Sequence, residues 1–223
     1  MAKKLWGGRF KKPTDPAFER FSASIRSDYM LLHHDLAIDK AHAKALKKCG
    51  VLTQAELAKL LSALSKIESS SLAKVFAMAE DIHSAIQTDL EKRVGPLANK
   101  IHTARSRNDL VSQSSRLYCK FSTEYFIGRL TVFQSAIVEK AEEYVDLYIP
   151  GMTHLQNAQV VSQAHIFMAY VEMLERAKKA VQLAHHEADV CVLGSGALAG
   201  VTFDLDREFL AKELGLSRVS ANS

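Results

Sequence analysis

The fold is decided by a proline-free stretch at residues 110–147, LVSQSSRLYCKFSTEYFIGRLTVFQSAIVEKAEEYVDL. Apolar residues recur in it at helical spacing, which predicts one helix from Leu110 to about Leu147, ended by Pro150-Gly151. A second helix is predicted from about Ala158 to Val192, with many alanines on one face. Each helix should be about 50 Å long at about 1.5 Å per residue. Because such long helices need long neighbours to cover them, we expect a helix bundle.

Shorter helices are predicted upstream, and each has a start or stop signal. One runs from about residue 28 to residue 49 and ends at Gly50. The next begins at the capping-box pattern of Thr53 and Glu56, and a third begins near Glu80-Asp81. Residues 1–24 are expected to be irregular, because two glycines and two prolines oppose helix formation there. With so few prolines and glycines elsewhere, the sequence predicts an all-α protein.

Composition, net charge and cysteine content exclude several classes of protein. The 223 residues are 48% hydrophobic and 24% charged, which is typical of a globular protein. A formal net charge of +4 suits an anionic substrate but is too small to indicate nucleic-acid binding. The three cysteines are widely spaced, so neither a disulfide framework nor a zinc site is expected. We see no signal peptide or membrane-spanning stretch, and we expect a cytoplasmic protein.

Residues 99–109 form the densest polar cluster, directly before the first long helix. Guanidinium, hydroxyl and amide groups at a helix N-terminus are well suited to binding a carboxylate. The alternative is a capping loop in which Asn108 or Asp109 is the N-cap and the arginines are solvated.

A second polar cluster, residues 150–156, lies at the break between the two long helices. His154 should therefore lie near a helix end and could exchange protons near neutral pH, although a lone histidine is more often structural or merely exposed. His83 could pair with Glu80 or Asp81, or it could lie on the helix surface. The glycine-rich residues 194–200 are interpreted as a turn that ends a helix, since no strand is expected before them.

Six stretches, taken together and in this order, resemble the argininosuccinate lyases of the fumarase/aspartase superfamily. The resemblance covers nearly the whole chain, and the first and fourth stretches distinguish it from fumarases, aspartases and adenylosuccinate lyases. The stretches are Leu5–Phe10, Ser22–Ile25, Glu80–His83, His102–Asp109, Pro150–Gln156 and Gly194–Gly200.

The resemblance implies cleavage of argininosuccinate to arginine and fumarate, without a metal or organic cofactor. Matching motif positions makes His154 and Thr153 catalytic, with His154 in proton transfer. The same matching implies substrate contacts from Thr153 and from five residues earlier in the chain: Ser24, Asp81, Ser106, Arg107 and Asn108.

The resemblance also implies a homotetramer whose active sites combine motifs from three subunits. The small net charge and the lack of a membrane-spanning stretch predict neither a nucleic-acid nor a membrane partner. It divides the chain into an N-terminal helical domain, residues 1–109, and the first long helices of a central bundle, residues 110–223. The family's Gly-Ser-Ser-x-Met-Pro-x-Lys loop, which supplies a catalytic serine and a lysine, is not within these 223 residues. We therefore expect little or no lyase activity from this chain alone.

The sequence departs from the family's usual residues at four positions, which bears on substrate affinity: Ala104, Leu110, Asn157 and Val160. Two other functions stay open. One is a non-catalytic structural or binding protein on the lyase scaffold, and the other is a different fumarate-releasing lyase, such as an adenylosuccinate lyase.

Overall fold

A computed structural model describes Lys12, residues 14–68 and residues 79–222. Within them the chain divides into two compact units. The first unit takes the residues up to Tyr118 and those from Asp189 onward, and the second takes Cys119–Ala188. The predicted domain boundary after residue 109 stays a prediction.

The structure is mostly helical, as predicted. The α-helices in chain order are α1 Pro16–Ser22, α2 Ile25–Asp28, α3 Leu32–Lys48, α4 Gln54–Glu68, α5 Ile82–Val94, α6 Arg107–Glu143, α7 Gln163–Ala188 and α8 Arg207–Glu213. Two 3-10 helices span Tyr29–Leu31 and Gly95–His102. The strands are β1 Tyr148–Thr153, β2 Gln156–Ser162, β3 Val190–Cys191 and β4 Arg218–Val219. None of the described helices combines the length and apolar character that crossing a bilayer requires.

Local capping explains where several helices begin and end. The Thr53 N–H donates to Glu56 Oε2 at 2.9 Å, and the Glu56 N–H donates to Thr53 Oγ1 at 3.2 Å. This reciprocal pair is the capping box predicted before α4. At the end of α3, Gly50 follows the C-cap with a φ of +82°, which glycine adopts without steric cost. Both end signals are confirmed.

The prediction that residues up to 24 are irregular is wrong where the structure describes them. Asp15 caps α1 by accepting the N–H groups of Ala17 and Phe18, at 2.7 and 3.3 Å. Pro16 is the first residue of that helix, where no intrahelical N–H is needed. The proline starts a helix here. Residues 1–11 and Pro13, which carried part of this prediction, lie outside the described residues.

Helix α3 is the centre of the first unit, because apolar residues on two of its sides belong to two different buried clusters. Leu36 and Leu46 pack in one cluster with residues of α4 and α5. Ile38 and Ala45 pack in the other with Leu110, with residues near β3 and with residues of α8. The packing of α3 between these two clusters fixes the position of the polar residues that the same helix carries.

The two long helices are confirmed, with shifted ends. Helix α6 has 37 residues and helix α7 has 26. The hairpin between them was not predicted: β1 and β2 pair antiparallel, with Thr153 opposite Gln156. Residues 158–162, predicted as helix, lie in β2, where Val160 and Val161 favour an extended backbone. At the other end, Cys191 lies in β3, which pairs with β4, so the predicted helix to Val192 ends early.

Candidate functional site

The third face of α3 carries a buried polar stripe formed by Asp35, Asp39 and His42, which are 1%, 6% and 1% exposed. Their spacing of i, i+4 and i+7 places them on one side of the helix. His42 Nε2 donates to the Thr103 carbonyl at 2.8 Å. Burial, helped by the charge of Arg105, lowers the pKa of His42 to about 3, so the ring is neutral at physiological pH.

The other two residues of the stripe make buried ion pairs. Asp39 Oδ1 accepts a hydrogen bond from Arg105 Nη1 at 2.6 Å, and both side chains are under a tenth exposed. Burial raises the pKa of Asp39, while the Arg105 guanidinium acts against that rise. Asp35 pairs with His83, whose side chain is 8% exposed. The expectation that His83 lies on the helix surface is therefore wrong, and its partner is Asp35 instead of Glu80 or Asp81.

These groups line a cavity of about 430 Å³ within the first unit. Side chains from α3, from α5, from the 3-10 helix after it and from the start of α6 meet here. Burial, together with the charges of Arg105 and Arg107, lowers the pKa of His102 to about 4. The lining residues are Asp35, Asp39, His83, Ile86, Gln87, His102, Arg105, Ser106, Arg107 and Leu110.

Two residues expected to contact substrate, Asp81 and Arg107, form an ion pair at the cavity edge. Asp81 is also the N-cap of α5 and accepts the Ser84 N–H at 2.8 Å. Burial acts to raise the pKa of Asp81, but the Ser84 hydrogen bond and the Arg107 charge outweigh it and leave that pKa lowered. The Arg107 side chain stays 38% exposed, so its guanidinium can meet a ligand.

Ser24 lies beside the same helix start. Its Oγ donates to Asp28 Oδ2 at 2.6 Å, and Asp28 Oδ1 accepts the Ile82 N–H at 3.2 Å. The Ser24 N–H donates to the Glu80 carbonyl at 2.9 Å. Residues far apart in sequence, Ser24 and Asp81, are thus held around the N-terminus of α5.

Helix α6 begins with a capping box that the sequence interpretation assigned to the wrong residue. Ser106 is the N-cap: its Oγ accepts the Asn108 N–H at 3.2 Å, and its own N–H donates to Asp109 Oδ1 at 3.0 Å. Neither Asn108 nor Asp109 caps the helix. The consequence is that Ser106, Arg107 and Asn108 sit together at the first turn of a long helix, where the helix dipole favours an anion.

Asp109 ties that first turn to the glycine-rich residues 194–200. Its Oδ2 accepts the Gly194 and Gly196 N–H groups at 3.2 and 2.9 Å, and Asn108 Nδ2 donates to the Ala197 carbonyl at 3.4 Å. The turn follows strand β3, so the expectation that it ends a helix is wrong. Burial raises the pKa of Asp109, against the effect of these hydrogen bonds.

Thr153 and His154 lie in the second unit, at the tip of the β1–β2 hairpin. His154 and Leu155 form its two-residue turn, with φ values of +48° and +61°. Both residues are exposed, and both adopt the left-handed conformation that usually requires Asn or Gly. The first unit therefore holds five of the expected site residues, and the second holds the other two, Thr153 and His154.

Sequence reasoning missed the stripe on α3 and the role of Arg105. The available signal was Asp35, Asp39 and His42 at helical spacing, inside a stretch whose other residues predict core. No group of three or more His, Cys, Asp or Glu side chains in the described part of the chain is placed to hold a metal ion.

Comparison with known proteins identifies the same family that the six sequence stretches resemble. A family model described as lyase matches residues 8–223. The argininosuccinate lyase of Bacillus licheniformis is 46% identical over 99% of this chain, and that of Sulfurihydrogenibium is 43% identical over the same share. The chain spans about half the length of these curated relatives, 49% of each.

Solved structures share the fold. An EDDS lyase variant with bound fumarate superimposes with a TM-score of 0.80 at 24% identity, covering 95% of this chain and 43% of that one. A β-carboxy-cis,cis-muconate cycloisomerase from Acinetobacter calcoaceticus superimposes with a TM-score of 0.70 at 18% identity, over 92% of this chain and 50% of that one. The chain belongs to this lyase family, and it matches argininosuccinate lyases over the N-terminal half of their length.

Proposed function

We propose that the protein containing this chain is an argininosuccinate lyase, which splits argininosuccinate into arginine and fumarate by β-elimination. The observation that carries the proposal is the cluster at the first turn of α6. There the Arg107 guanidinium, paired with Asp81 and partly exposed, stands beside Ser106 and Asn108 at the cavity edge. Relatives with that name share more than two fifths of their aligned residues with this chain.

The chemistry explains why such a cluster is needed. β-Elimination removes a proton from the carbon beside a carboxylate and expels the guanidino nitrogen, so negative charge grows on the carboxylate side. Arg107, together with the dipole of α6, would hold a substrate carboxylate. Asp81 orients the guanidinium, and Ser24 lies near enough to Asp81 to contact the same substrate.

Proton transfer is assigned in this proposal to His154, with Thr153 beside it. Two adjacent residues in the left-handed conformation cost about 1–2 kcal/mol each. Such strain occurs most often at functional sites, which supports a special role for this turn.

The remaining parts of the proposal concern the whole protein. We propose a cytoplasmic homotetramer in which the hairpin of one subunit completes the site built by Arg107 and Asp81 of others. No cofactor takes part in this scheme, because a positioned base, a positioned acid and positive groups suffice for the elimination.

The test is turnover by the protein expressed from the full reading frame that contains this sequence. Fumarate formation is followed by ultraviolet absorbance, with argininosuccinate and adenylosuccinate offered in parallel. We expect fumarate from argininosuccinate only. The Arg107→Gln variant should lower kcat/KM by about 100-fold or more, as expected when a group that stabilises developing charge is lost.

If only adenylosuccinate yields fumarate, the protein is another lyase of this superfamily, an adenylosuccinate lyase. Fumarate from neither substrate would favour a non-catalytic protein on the same scaffold.

A further inference from the structure

Residues 103–105 are tied to α3 by two buried contacts. His42 Nε2 donates to the Thr103 carbonyl at 2.8 Å, and Arg105 Nη1 donates to Asp39 Oδ1 at 2.6 Å. Ala104, between the two contacts, has a φ of +56°. A left-handed alanine costs about 1–2 kcal/mol. The segment keeps that conformation because its surroundings fix it on both sides.

The two arginines of this segment differ in what they can do. The Arg105 side chain is 3% exposed and engages Asp39, whose side chain is 8% exposed. The Arg107 side chain is 38% exposed and pairs with the N-cap of α5. Freeing Arg105 for a ligand would leave Asp39 as an unpaired buried charge, which costs several kcal/mol. Arg105 therefore forms a structural ion pair within the protein, while the exposed part of Arg107 is available to substrate.

Arg105 is also placed to transmit a displacement. It directly precedes Ser106, the N-cap of α6, and Arg107, the first residue of that helix. Apolar packing on two sides of helix α3 holds the backbone of Asp39 in place. Loss of the Asp39–Arg105 contact would release the loop at the end that carries the substrate-facing groups.

We propose that Asp39 and Arg105 are a positioning pair, which fixes Arg107 at the edge of the cavity. This inference rests on the proposed lyase function. It assigns to Asp39 no contact with substrate: the carboxylate acts through Arg105 on where Arg107 stands.

The test compares Asp39→Asn with a matched control in the protein from the full reading frame. Asp39→Asn keeps the shape of the side chain and removes its charge. The control is Glu68→Gln, which breaks the exposed pair that Lys40 of α3 makes with Glu68 at 2.5 Å, outside the cavity. We expect kcat/KM for argininosuccinate to fall about 10- to 100-fold in Asp39→Asn, the usual effect of misplacing a binding group by about 1 Å. The control should stay within about twofold of wild type.

A double-mutant cycle separates positioning from general loss of structure. If Asp39 acts through Arg107, then Asp39→Asn should change kcat/KM little in an Arg107→Gln background. A full additional loss in that background would overturn the proposal. Asp39→Asn kinetics equal to those of the Glu68→Gln control would overturn it as well.

Two further outcomes are distinguishable. If Asp39→Asn does not fold, the Asp39→Asn/Arg105→Gln double variant removes both charges and leaves no unpaired buried charge. That double variant should fold and show the same loss of kcat/KM, and wild-type kinetics from it would contradict the positioning role. If the wild-type protein forms no fumarate, the proposed function fails and this inference fails with it.

Discussion

At the scale of single residues, His42 is buried and uncharged, which makes folding sensitive to pH. Its pKa is about 3 in the folded protein, against an ordinary value of 6.5. Between those values the unfolded chain binds a proton that the folded chain does not, so folding stability falls as the pH is lowered through 6.5. The contribution is fully present above pH 6.5. The raised pKa of Asp39 acts in the opposite sense, because the folded chain holds a proton there that the unfolded chain has lost.

The measurement is urea unfolding of the 223-residue chain at a series of pH values, for wild type and His42→Gln. Glutamine places an amide N–H where the Nε2–H donates to Thr103, but it has no proton to gain. Between about pH 7 and pH 5 the wild-type unfolding free energy should fall by about 2 kcal/mol more than that of the variant. Parallel pH dependences for the two proteins would show that His42 titrates normally in the folded state.

At the scale of secondary-structure elements, the sequence predicted features whose causes are local. The capping box before α4 and the glycine after α3 depend on residues within one turn, and the long helices depend on the absence of proline. The hairpin was missed because Pro150-Gly151, which indicates only the end of a helix, lies inside strand β1. The α6 cap was assigned to the wrong residue because Ser, Asn and Asp all favour that position.

The hairpin turn offers a test of whether the backbone of His154 and Leu155 is strained. Leu155 is 89% exposed and has a φ of +61°. The change Leu155→Gly therefore removes little packing and relieves the steric strain of a side chain at positive φ. We expect that change to raise the unfolding free energy by about 1 kcal/mol, and Leu155→Val to lower it, since β-branched residues tolerate positive φ least. Urea unfolding of the two variants is the check, and equal stabilities would refute a strained turn.

At the scale of the whole molecule, the candidate site could be predicted only in part. The polar residues 105–109 were visible because they are adjacent in sequence. The cavity was not, since it needs Asp35 and Asp39 of α3, His83 of α5 and Arg105 to converge, and only the packing of α3 between two apolar clusters brings them together. Motif resemblance supplied the grouping of distant stretches that pattern reasoning alone does not give.

The same scale yields a prediction about association. On α6 a run of large apolar side chains faces solvent, with Phe121, Tyr125 and Val132 each more than 60% exposed at helical spacing. They line a shallow groove of about 410 Å³, and Gly128 also lines it. Exposed apolar patches of this kind mark surfaces that bind other protein. We therefore expect the isolated 223-residue chain to self-associate at micromolar concentration.

Sedimentation of Tyr125→Glu against Ser135→Glu separates this patch from a general charge effect. Both changes add one carboxylate to an exposed position of α6, but Ser135 is polar and lies outside the groove. Burying a carboxylate at an apolar contact costs several kcal/mol, so the Tyr125 variant should require at least about tenfold more protein to associate. The Ser135 variant should follow wild type. If both variants shift equally, net charge and not the apolar groove controls association; if wild type stays monomeric throughout, the groove is not a self-association surface in this chain.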